Sequence, residues 1–156
     1  YKVHKPLEFY CAYFTARPED VDVEVIMGGR ESVKRYLRDI KAKGKEASKK
    51  ELDVYDNMLI FNEMMARGIE VLPIDIKKSQ AMKYIPENGK MRLPFGALSG
   101  VGEKAAYSIY EAAQKGDFVS REDLILEAGV SKTVIQKLGE LGALSDIPET
   151  NQISMF

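Results

Sequence analysis

The sequence predicts a mainly α fold with a small antiparallel β element: a helical first part, then two short helix-turn-helix units. Three observations predict it. Apolar residues recur at helical spacing between recognisable start and stop residues. One Asn-Gly dipeptide, Asn88-Gly89, stands between apolar runs. A Gly-Val turn occurs twice, at Gly100 and Gly129, 29 residues apart.

The chain has 156 residues, 45% apolar and 30% charged, enough for about 70% of its unfolded surface to be buried without a disulfide or metal staple. A single cysteine, Cys11, excludes an internal disulfide, and neither it nor the lone His4 has neighbours at metal-ligand spacing. There is no apolar run long enough for a membrane span and no basic-then-apolar signal, so the chain reads as a cytoplasmic protein with no membrane partner. It opens at Tyr1 rather than Met, inside an aromatic run, and reads as a piece of something larger.

Pro6 is placed as a first-turn proline, and Leu7, Tyr10, Cys11 and Phe14 follow at helical period until Pro18. Val21, Val23 and Val25 alternate with acids, a pattern too short to separate strand from helix. Val33, Tyr36, Leu37 and Ile40 mark an amphipathic helix whose outer face carries the basic density from Gly28 to Lys50. Such a face is either simply solvated or turned to phosphate. Residues 1–50 hold 12 Lys+Arg and 8 Asp+Glu, a charge of +4, which leaves −5 on residues 51–156 and a total of −1. That balance argues against binding nucleic acid by bulk charge. Ser48 and Glu51 have capping-box spacing and open a helix through Leu52, Tyr55, Leu59 and Met65 that Gly68 closes. Ile69 to Ile76 looks extended, and the runs flanking Asn88-Gly89 make a hairpin.

Gly100-Val101-Gly102 could belong to a dinucleotide fingerprint, but no strand leads into it and no βαβ unit surrounds it. The better reading is a helix-hairpin-helix. Gly100 and Gly102 take positive φ and let the backbone approach a phosphate, Val101 turns into the core, and Ala106 and Ile109 suit a tight helix crossing. Ser99, Gly100, Val101 and Gly102 then present the phosphate-binding turn, with Lys104 adding charge from the next helix. Ser120 caps a helix leading into a second copy, Gly129, Val130, Ser131, Lys132 and Thr133, with a capping serine in place of the second glycine. Such a pair would grip the two strands of duplex DNA across the minor groove; the alternative is a helical knot with no ligand. After the polar stretch Pro148-Glu149-Thr150-Asn151, the tail Gln152-Ile153-Ser154-Met155-Phe156 ends in large apolar side chains. These suit a partner's pocket or a fold-back on the body.

Taken together, the opening Lys5-Pro6-Leu7-Glu8-Phe9-Tyr10, the stretch Arg67 to Pro73 leading to Asp75 and Ser79, the tandem hairpins and the terminal Gln-Ile-Ser-Met-Phe resemble a known family. It is the C-terminal end of the bacterial replicative DNA polymerase III α subunit, PolC type. The resemblance covers essentially the whole chain. It implies a helical piece of the fingers over 1–68, a small β element over 69–95, a tandem helix-hairpin-helix domain over 96–146 that binds primer-template duplex, and a flexible clamp-binding tail over 147–156. In the tail, Gln152 would orient the peptide, and Ile153, Met155 and Phe156 would fill a pocket of the sliding clamp (β subunit), with Ser154 between them. Ile153 and Met155 stand where leucine is usual, a volume-conserving change.

Nucleotidyl transfer uses paired carboxylates and two Mg²⁺ ions. The one Asp-x-Asp, Asp20-Val21-Asp22, falls by resemblance in the fingers and not in the palm. The expectation is therefore no catalytic or metal-binding residue and no cofactor in this chain, with Mg²⁺ serving the parent polymerase. A free-standing helix-hairpin-helix adaptor of DNA repair or recombination is the alternative.

Overall fold

The structure, a computed structural model, describes residues 5–98, 100–116, 120–144 and 147. Helix α1 (Pro6–Thr15) has its proline at the first position, where an N–H would have had no helical partner, and buries Tyr10, Cys11 and Phe14. The Asp22 side chain accepts from Val25 N at 3.2 Å and so starts α2 (Val23–Met27). This cap resolves the Val21 to Val25 pattern as helix.

Helix α3 (Arg30–Lys43) buries Val33 and Ile40, with Tyr36 and Leu37 half-buried beside them. Gly44 (φ 56°) ends it, so Lys45, Lys49 and Lys50 lie beyond the helix, on a 3-10 turn (Gly44–Glu46) and the start of α4 (Lys49–Ala66). The expected single basic face is thus broken at Gly44. Both bonds of the capping box form: Glu51 N donates to Ser48 Oγ at 3.1 Å, and Ser48 N donates to Glu51 Oε1 at 3.2 Å. At the far end Gly68 (φ 86°) allows Gly68 N to reach Met65 O and Ile69 N to reach Met64 O, a Schellman closure.

The helices meet over aromatic rings. Phe14 stacks on Phe61 with centroids 4.0 Å apart, and Tyr84 lies 5.7 Å from Phe14 with its hydroxyl donating to Pro18 O at 2.9 Å. Asp20 is held at the edge of this cluster, its carboxylate accepting from Lys50 Nζ at 2.7 Å and its carbonyl from Asn57 Nδ2 at 2.9 Å.

Three short strands follow: β1 (Val71–Leu72), β2 (Ile85–Glu87) and β3 (Lys90–Arg92), in the order β1-β3-β2. Asn88 (φ 54°) and Gly89 (φ 79°) turn β2 antiparallel onto β3, as Asn-Gly predicts. The strand β1 joins β3 in parallel, Val71 opposite Met91, so the element is a mixed sheet rather than purely antiparallel. Its extended partner stops at Pro73, which has no N–H to continue the ladder and whose carbonyl accepts from Arg92 Nη1 at 2.9 Å. Ile74 and Ile76 beyond it are buried but not in a strand.

A 3-10 turn (Phe95–Ala97) leads to α5 (Glu103–Lys115), α6 (Arg121–Ala128) and α7 (Lys132–Glu140). One contiguous cluster of buried side chains runs from Tyr10 and Phe61 through Leu93 and Val101 to Leu138 and Ile147. No helix among the described residues is long and apolar enough to cross a membrane.

Burial makes this core sensitive to alkali. It raises the Tyr10 phenol to about 12, helped by donation to Glu63 Oε2, raises the Cys11 thiol to about 12, and raises Tyr84 well above the usual phenol range. All three are neutral when protonated, so their contribution is complete below the unfolded values of 9.0 and 10.0 and is lost as pH climbs toward about 12. Urea midpoints should be level to about pH 9 and then fall steeply; a midpoint at pH 11 equal to that at pH 8 would contradict this assignment.

Candidate nucleic-acid interface

The first turn is built on very little helix. Its leading segment is the single 3-10 turn Phe95–Ala97, laid on the chain before it: Phe95 N donates to Gln80 O at 3.0 Å and Gly96 N to Ala81 O at 2.8 Å. A β-carbon on Gly96 would stand 2.2 Å from Met82 Sδ and 3.2 Å from Ala81 O, so any larger residue would have to displace the Met82 side chain and press on the Ala81 carbonyl. Leu98 O then accepts from Val101 N at 3.1 Å, and Val101 is buried. Gly100, at φ 89°, carries the left-handed bend between them.

Gly102 departs from expectation. Its φ is −74° and its ψ 170°, an extended N-cap conformation open to any residue, and a β-carbon there would meet nothing within 4 Å. The turn needs positive φ at Gly100 alone. Gly102 supplies no side-chain cap to α5, so among the described residues no side chain accepts from its N-terminal amides at the cap. Lys104 stands exposed in that first turn, and Ala106 and Ile109 are fully buried, as the helix crossing requires.

The second turn has the same plan with different chemistry. Ser120 Oγ accepts from Asp123 N at 3.2 Å and starts α6, while Gly129 (φ 66°) ends it in the left-handed region. Val130 is half-buried, and Lys132 and Thr133 are exposed at the start of α7. Ser131 Oγ accepts from Val134 N at 3.4 Å, so part of this helix's N-terminal donor capacity is already used internally. Helix α5 packs on α6, and α6 on α7, which brings the two turns into one unit. Ser99 and the tail Gln152 to Phe156 lie outside the described residues.

Asp20 and Asp22, the Asp-x-Asp pair, are both engaged in the fold, one with Lys50 and the other as the α2 cap. Among the described residues no group of three or more His, Cys, Asp or Glu is placed to hold a metal ion.

One positioning residue is not evident from turn chemistry. Arg121 Nε donates to Ile147 O at 3.1 Å and Nη2 to Leu144 O at 3.2 Å, tying the chain after α7 back to the start of α6. Its Nη1 lies 2.6 Å from where a β-carbon of Gly139 would be. A glycine inside an otherwise helical run was the available sign of that close passage.

Comparison with known proteins agrees with this geometry. The helix-hairpin-helix motif family matches residues 68–153, and the chain belongs to that family. Over 158 residues it is 37% identical to the PolC-type DNA polymerase III of Streptococcus sanguinis. Over 156 residues it is 40% identical to the same protein of Listeria innocua and 41% identical to that of Staphylococcus epidermidis. Each match covers all of this chain and 11% of the relative, so the chain spans about a tenth of their length.

The glycines should separate by thermal melting. Gly129→Ala, forced to keep φ near 66°, should cost about 1 kcal/mol. Gly102→Ser, which exchanges one favoured N-cap residue for another, should move stability by only a few tenths of a kcal/mol. Equal losses at the two positions would contradict this division between a left-handed bend and an open N-cap.

Proposed function

We propose that this chain is the C-terminal part of a replicative DNA-directed DNA polymerase of the PolC type. In this reading it holds the primer-template duplex through its two hairpin turns and the sliding clamp through Gln152, Ile153, Ser154, Met155 and Phe156. Support for the polymerase comes from relatives of that name that match the whole chain at 37% to 41% identity, which also favours it over a repair adaptor.

The observation that carries duplex binding is Gly102. A position with ordinary φ and open space around it has no steric need for glycine. Bare backbone is needed there if a phosphate oxygen is to come within hydrogen-bonding distance of the N-terminal amides of α5, where the helix dipole favours an anion. Lys104 adds a cation on one side. The second turn offers Gly129, Lys132 and Thr133, with weaker amide capacity because Ser131 caps its own helix. Contacts of this kind position a duplex without reading its sequence. On this reading the Mg²⁺ and carboxylates of nucleotidyl transfer would lie in other parts of the polypeptide, while Asp20 and Asp22 serve the fold by accepting from Lys50 Nζ and Val25 N. The parent would act in the bacterial cytoplasm.

Titration of a labelled duplex with the full chain tests this. Gly102→Val should weaken binding about tenfold while lowering the melting temperature only by the small loss an N-cap change brings, and Lys104→Glu with Lys132→Glu should lower affinity for all sequences alike and flatten its salt dependence. Affinity indifferent to salt and to all three changes would refute the proposal. For the tail, removing Met155 and Phe156 should abolish clamp binding and leave duplex binding intact; equal clamp capture by the shortened chain would remove that assignment.

A further inference from the structure

Lys137 sits on α7, the last helix of the second hairpin, yet its ammonium is at the first. A β-carbon on Gly100 would have Lys137 Nζ as its neighbour, at 3.4 Å, with no other described atom within 4 Å. The side chain cannot serve the turn of its own hairpin: Lys137 is five residues past Lys132, roughly 8 Å further along the helix axis. Its direction is set by the buried face of α7, where Val134, Ile135 and Leu138 pack into the core. Leu98, which leads into the first turn, lines the same cleft of about 480 Å³ as Lys137 and Glu140.

The geometry points to Lys137 as a phosphate-binding residue of the first hairpin, supplied across the domain by the second. One backbone phosphate would then be met by the N-terminal amides of α5, by Lys104 from α5 itself and by Lys137 from α7. This rests on the reading of the first turn as a duplex-phosphate site. It adds that the two hairpins are not independent grips: α7 must be docked for the first turn to carry its full charge. It also assigns unequal strength to the two turns, since the first draws a cation from both hairpins and the second only from its own.

The experiment is duplex titration with the full chain over a range of salt, using Lys137→Met and Lys137→Arg. Each is made alone, with Gly102→Val, and with Lys132→Glu. Lys137→Met should weaken binding about tenfold and reduce the log-log salt slope by about one, while Lys137→Arg should bind within about threefold of the parent. With Gly102→Val already excluding the phosphate from the first turn, Lys137→Met should add less than about twofold; with Lys132→Glu it should keep its full effect. An unchanged slope, or coupling to Lys132 in place of Gly102, would overturn the inference. So would a fall in melting temperature with the slope intact, which would mark Lys137 as a structural strut. If Gly102→Val and Lys104→Glu also leave binding unaltered, the hairpin reading itself fails; if they weaken it and Lys137→Met does not, this inference alone does.

Discussion

The candidate interface depends on two backbone hydrogen bonds, from Phe95 and Gly96 to the carbonyls of Gln80 and Ala81. The first hairpin lacks a full leading helix, so no helix pair sets the angle of its turn to α5. Those two bonds replace the missing helix by fastening one 3-10 turn to the segment that runs into the sheet, and Gly96 makes the approach close enough. Ser79 secures the same segment from the other side, its hydroxyl donating to Leu93 O at 2.6 Å and accepting from Asp75 N at 2.9 Å. The small sheet is thus a mounting for the first turn. The helix-hairpin-helix family match begins at residue 68, ahead of β1, and so includes this mounting.

The two turns share a plan but divide the work. A serine at the N-cap steadies α7 by spending one of its amides, and a glycine at the N-cap of α5 leaves its amides unspent. Stability and anion capacity compete for the same donors at a helix N-terminus. The second hairpin takes more of the first quantity and the first hairpin more of the second. The Arg121 tie to Leu144 and Ile147 belongs to the stabilising side, because it holds the end of the second hairpin against the start of α6.

Where one local interaction decides an element, the sequence made it legible. Pro6, the Ser48 and Glu51 box, Asn88-Gly89, Gly129 and Ser131 each act within a few residues, and each stands where its chemistry predicts. What escaped depends on distant partners. The parallel pairing of β1 with β3 joins residues about twenty apart, and no short-range period encodes it. The Val21 to Val25 alternation looked as much like a strand as a helix, and the Asp22 cap decided it. At Gly102 the backbone reading fails: two glycines in one turn implied two left-handed positions, but only Gly100 is left-handed and Gly102 is an extended N-cap. Lys137 could not be associated with Gly100 by any spacing rule, since the connection runs through the packing of α7.

Near-neutral charge and phosphate recognition are compatible on these terms. If Lys104, Lys132 and Lys137 are the cations that meet phosphate, duplex binding releases about three counterions and the salt slope is only about −3, well short of proteins that track DNA by a basic surface. The acidic residues of the second half, which carries −5, repel any duplex that does not present its phosphates to the turns. Affinity is then low and orientation strict. A weak, oriented grip gains most when a second attachment keeps the duplex nearby, because the local concentration supplied by tethering multiplies the affinity without a new contact. On the proposed reading the sliding clamp is that attachment. It would be engaged by a tail whose apolar anchors work through a protein pocket and are insensitive to the salt that governs the hairpins.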